Sequence, residues 1–175
     1  MRATALWMVL TGAMFCAGCA SPVVALRPFV ADREAAIDPA LAGSWAKDGD
    51  EPILVRTDGA GYRIAVFEKN EVVWFHARLL RTGNAEILDL VIDDPSAFAL
   101  PAHVPVRVWV EGDTLRYAIF NTAWIKDLAR KELACEEENG MLITTASGEQ
   151  VARFLAAYGG DDRALESTES LQRVR

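Results

Sequence analysis

Val104-Pro105-Val106-Arg107-Val108-Trp109-Val110-Glu111 sets a valine at every second position against proline, arginine, tryptophan and glutamate. A strand repeats its side-chain direction every two residues, so one face of this segment is wholly apolar and must be buried. The other face mixes an aromatic ring with charges, as a half-wet surface does. Glu71–Arg81 is built the same way. Val73, Phe75, Ala77 and Leu79 share one face, and Val72, Trp74, His76, Arg78 and Leu80 share the other. Two such segments point to an antiparallel sheet with one covered side.

Outward from these segments the pattern continues. Short runs rich in β-branched and aromatic residues span Leu41–Trp45, Pro52–Thr57, Tyr62–Phe67, Ala85–Ile92 and Thr114–Phe120. Turn-forming residues separate them: Asp48-Gly49-Asp50, Asp58-Gly59-Ala60-Gly61, Lys69-Asn70, Thr82-Gly83-Asn84, Asp93-Asp94-Pro95 and Gly112-Asp113. Runs and breaks at this spacing predict consecutive hairpins. The expected fold is mainly β, an antiparallel meander forming a barrel or a strongly curved sheet.

After Phe120 the period changes. Asn121 or Thr122 can cap a helix that begins near Ala123, with Trp124, Leu128 and Leu133 inward. Cys135 and an acidic turn, Glu136–Gly140, follow, and Met141–Thr145 reads as a last strand. Ser147-Gly148-Glu149-Gln150 has the form of a capping box. Val151, Phe154, Leu155 and Tyr158 then fall on one helix face, and Gly159-Gly160 stops it. Two C-terminal helices packed against the sheet are expected. Residues 159–175 read as a polar tail with Leu165 and Leu171 as docking points.

The N-terminus carries a different signal. Arg2 precedes an uncharged run from Ala3 to Ala17, too short to span a bilayer, which takes about 20 apolar residues. It fits the apolar region of a secretory signal over residues 1–18. The run ends in Cys16-Ala17-Gly18-Cys19, which resembles the bacterial lipobox, although Cys16 stands where leucine is usual. The resemblance implies acylation of Cys19 and attachment to a membrane through the N-terminal lipid. Ala20, where aspartate would favour inner-membrane retention, points by the same resemblance to the outer membrane, facing the periplasm. Ordinary cleavage after Ala20, giving a free periplasmic protein, is the rival reading. Residues 19–40 contain Pro22, Pro28 and Pro39 and read as a tether, with a short helical turn near Arg33–Ile37. The domain proper is expected over residues 41–158.

Leu41-Ala42-Gly43-Ser44-Trp45 opens the first expected barrel strand. Its Gly-x-Trp is similar to the opening motif of lipocalins and related calycin barrels. The resemblance implies that Trp45 closes one end of a barrel and that a basic residue from a late strand, Arg107 or Arg116, packs across it. It also implies a helix on the barrel wall. The Leu-x-Gly-x-Trp start also resembles that of many small bacterial lipoproteins, a likeness that implies location and fold, and no activity.

The chain has 175 residues and a formal net charge of −7, enough for one domain with a real core. An acidic surface works against binding polyphosphate, so nucleic acid is not an expected partner. With Cys16 in the signal and Cys19 at the lipid, Cys135 is the one cysteine left in the mature chain. It is expected as a small buried hydrophobe. His76 and His103 have no spacing that joins them to each other or to Cys135, so no metal site is expected. No Gly-x-Ser-x-Gly elbow or phosphate loop occurs, and neither a catalytic residue nor a cofactor is expected.

What remains is aromatic. Trp74, His76, Trp109 and Tyr117 lie on strands beside charged residues and are candidates for a ligand cavity. The plainer alternative is an outer face covered by the two helices. The expected function is an envelope lipoprotein that binds a small hydrophobic ligand; the alternative is one that docks to another envelope protein.

Overall fold

The computed structural model describes residues 22–68, 71–93 and 100–174. The stretch expected to be a signal ending in a lipobox, within residues 1–21, lies outside the described residues. The strands are β1 (Val23–Ala25), β2 (Gly43–Ala46), β3 (Ile53–Asp58), β4 (Gly61–Glu68), β5 (Glu71–Arg81), β6 (Glu86–Ile92), β7 (Val104–Glu111), β8 (Thr114–Ile119), β9 (Cys135–Glu138), β10 (Met141–Thr144) and β11 (Glu169–Arg173). Among the described residues two α-helices are interspersed, α1 (Ala123–Glu132) and α2 (Gly148–Tyr158). Among the described residues no helix is long and apolar enough to cross a membrane.

Strands β2 to β8 form the expected meander, and β11 closes it into an eight-stranded antiparallel barrel by pairing with both β8 and β2. The register puts the apolar face inward. Val106 pairs with Ile119, Val108 with Tyr117, Leu88 with Val106, and Phe75 with Ile92. The resulting core runs down the barrel axis. Closure removes both edges of the sheet, which would otherwise template association.

A second core lies outside the barrel wall. It joins Ile87 of β6 and Phe120 to Ile125 and Ala129 of α1 and to Val151, Phe154 and Leu155 of α2. Each helix starts where a side chain satisfies a free N–H. Thr122 accepts from Ile125 N, and Ser147 and Gln150 exchange the two bonds of a capping box. Strands β1, β10 and β9 form a small three-stranded sheet in this layer.

Three expectations are corrected here. Residues 22–41 are not a free tether. Val23, Val24, Ala25, Phe29 and Val30 are buried, and β1 pairs with β10. Asp89, nearly inaccessible on the outer side of β6, accepts bonds from Phe29 N and Val30 N at 2.9 and 3.3 Å. A Cβ on Gly148 would collide with the Pro28 carbonyl, so the strap also presses on the start of α2. Next, the tail is not loose: Ala164 and Leu171 are buried, and β11 is a barrel stave. Finally, the acidic turn is a hairpin. Asn139 and Gly140 take positive φ (51° and 80°), and Glu138 pairs with Met141. Strand β9 is an edge whose three glutamates discourage further pairing. The expected turn near Arg33–Ile37 appears as a 3-10 turn over Asp32–Glu34.

Candidate functional site

The two ends of the barrel differ. One end gathers the starts of β2, β4, β6 and β8 and the finishes of β3, β5, β7 and β11. A 3-10 turn, Pro39–Leu41, covers it, and Leu41 and Trp45 are buried beneath. Trp45 Nε1 donates to Leu41 O at 2.9 Å. Arg173 holds the seal from the last stave, with its guanidinium carbon 4.1 Å from the indole centroid. Its two terminal nitrogens donate to the carbonyls of Ala42 and Ala40 at 2.9 and 2.8 Å. The basic residue over Trp45 is therefore neither Arg107 nor Arg116. Arg107 pairs with Asp162, and Arg116 with Glu111, both on the outer wall. Arg173 takes the place because β11 pairs directly with β2, in register Arg173 to Trp45.

The other end is open among the described residues; residues 69–70 and 94–99, which connect strands there, lie outside them. Inward side chains nearest it, Ile53, Val73, Ile92 and Ile119, are only half-buried, whereas Trp45, Tyr62, Ala77 and Leu79 towards the sealed end are almost inaccessible. Between them lies an unfilled space of about 60 Å³. Val55, Ile64, Phe75, Leu88, Val106, Val108 and Leu115 line it, with Tyr62 and Tyr117. The Tyr62 hydroxyl is occupied, accepting from Asp38 N and donating to Asp38 O. Burial raises its pKa. Burial, helped by the carboxylates of Glu169 and Asp50, pushes the Tyr117 phenol up to about 12. Tyr117 is thus neutral at physiological pH. The space offers a water almost no polar partners, so it is dry in the way small apolar cavities are.

Of the four residues singled out in the sequence, Tyr117 alone faces this space. Trp74, His76 and Trp109 point outward, a correction that follows from strand alternation: their neighbours Phe75, Val108 and Val110 take the inward positions. Trp74 is 38% exposed, with the Arg63 guanidinium 4.8 Å from its ring centroid. His76 and Arg63 both pair with Asp93. Trp109 stacks under Arg107 at 5.1 Å. The lumen residues that sequence reading left unnamed as a site are the aliphatic ones it assigned to the core, and no signal in one chain separates a packed core from a lined cavity.

His103 is buried, and its Nδ1 lies 2.7 Å from Asp89 Oδ1. This pair sits under the N-terminal strap, away from the lumen, and its partners are backbone amides. Cys135 is half-buried, its Sγ donating to Ala129 O, with burial raising its pKa. Among the described residues no group of three metal-ligating side chains converges.

No family model, curated protein or solved structure matches this chain. The eight-stranded antiparallel barrel with a Trp–Arg seal is consistent with a lipocalin-like fold.

Proposed function

We propose that the mature protein is an envelope lipoprotein, anchored through Cys19, whose barrel takes up the end of a single unbranched hydrocarbon chain. The carrying observation is the dry, apolar, partly unfilled lumen, sealed by Trp45 and Arg173 at one end and, among the described residues, open at the other. Its size narrows the ligand. About 60 Å³ exceeds what one water needs but falls well below the roughly 150 Å³ that admits a benzene ring. Sites for drug-sized molecules run to about 300–1,000 Å³. The end of an alkyl chain fits this volume, and a ring system does not. Asp50 and Glu169 beside Tyr117 disfavour an anionic head at the mouth.

Calorimetric titration with decanol tests this reading. Saturable binding of one decanol per chain is expected, with weaker binding of decanoate. Val106→Phe, which places a ring in the unfilled space, abolishes uptake. Val108→Leu does so in part and disturbs folding less. Equal affinity in the parent protein and both variants contradicts a lumen site.

A second reading, docking to another envelope protein, draws on the exposed outer-wall side chains Val72 and Trp74. They also suit a membrane surface.

A further inference from the structure

The chain enters its fold at the open end of the barrel. Val23 N donates to Phe120 O, one residue beyond the last paired residue of β8 at that end. Ala25 bridges to His103, just before β7 begins. Three residue steps separate Cys19 from Pro22, which reach at most about 11 Å when fully extended. An acyl chain on Cys19 therefore leaves the open end no room to swing far from the bilayer that holds it.

Exposed apolar side chains gather at the same end. Val72 is second in β5, Trp74 O accepts from Asp93 N just past β6, and Leu100 precedes β7. They are 43%, 38% and 74% exposed. Tryptophan favours the membrane interface because its ring is apolar and its N–H is not. Lys47 and Arg63 are exposed here too, each paired with a carboxylate, Glu169 and Asp93, which leaves an acidic excess at Asp48, Asp50, Glu51 and Glu71. They repel an anionic surface, so the match is to uncharged or zwitterionic headgroups.

We propose that the open end of the barrel lies against a zwitterionic bilayer surface, with Val72, Trp74 and Leu100 seated among the headgroups. The proposal rests on the Cys19 anchor. It adds an orientation in which a hydrocarbon chain passes between bilayer and lumen without crossing bulk water.

The test uses the mature protein purified from its host membrane and reconstituted in phosphatidylcholine vesicles containing lipids brominated at shallow acyl positions. Trp109→Phe with Trp124→Phe leaves Trp74 as the exposed indole. Trp74→Phe with Trp124→Phe leaves Trp109, which lies towards the sealed end. The intact mass reports the acyl chains on Cys19. Acylated protein whose Trp74 emission is quenched while Trp109 emission is not supports the proposal. So does weaker Trp74 quenching when phosphatidylglycerol is added, or when a Gly/Ser spacer is inserted after Ser21. Acylated protein in which Trp109 is quenched, or neither indole is, overturns the orientation and leaves the anchor standing. Protein without acyl chains removes the anchor and the proposal together.

Discussion

Arg173 sits over Trp45, its guanidinium carbon 4.1 Å from the centroid of the indole, and the two residues are register partners on the staves that close the barrel. Gly43 makes the approach possible, since a Cβ there would collide with the guanidinium. One contact thus joins the first barrel strand to the last and caps the core between them. Trp45→Ala should cost about 3–5 kcal/mol in urea unfolding, as for other buried large aromatics. Arg173→Ala should cost about 1–3 kcal/mol, from the cation–π contact and two bonds to carbonyls. A double-mutant cycle should show coupling between them; additive losses would mean that the seal is not a unit.

Removal of residues 166–175 takes away β11 and leaves β2 and β8 as unpaired edges. Open edges template association. The truncated chain is expected to lose cooperative unfolding and to aggregate in size-exclusion chromatography. A monomer with an unchanged transition would show that the barrel closes without its last stave.

Asp89 fastens the N-terminal strap. Asp89→Ala leaves Phe29 N, Val30 N and His103 Nδ1 without their acceptor inside the protein. Each buried donor left unsatisfied in this way costs about 1–3 kcal/mol. Amide exchange should localise the loss to residues 23–30 and β6. Uniform loss of protection across the barrel would place Asp89 in the main core instead.

Tyr117 gives a pH signature with a definite sign. Its phenol is raised from 10.0 to about 12, so the unfolded chain loses that proton first as pH rises. The stability it contributes is complete below pH 10 and declines as pH climbs through about 12. Tyr117→Phe should flatten that decline and remove a late component from the tyrosinate absorbance titration. An unchanged titration would mean that Tyr117 is exposed rather than lumenal.

The barrel was legible wherever both faces of a strand carried a pattern. Val104–Glu111 and Glu71–Arg81 are strands over the very residues that alternation marks. The strap and the last stave were not. Val23-Val24-Ala25 is too short to show a period, and in Glu169–Arg173 only Leu171 is apolar, so pairing from both sides makes it a strand. The hairpin at Asn139-Gly140 was missed because the glutamates before it read as a solvated turn, though Asn-Gly is itself a hairpin signal. The candidate site was less legible than the fold. Trp74, His76 and Trp109 drew notice by chemistry, yet period-two alternation turns them outward, and Tyr117 shares the lumen with residues indistinguishable from core.

The most direct measurement is a set of nuclear Overhauser contacts between protonated decanol and methyl-labelled, otherwise deuterated protein. The account predicts contacts from the alkyl protons to Leu88, Val106 and Leu115, with none to Val72 or Leu54 on the outer wall. Contacts confined to the outer wall, or silence at the lumen methyls with decanol in excess, would contradict it.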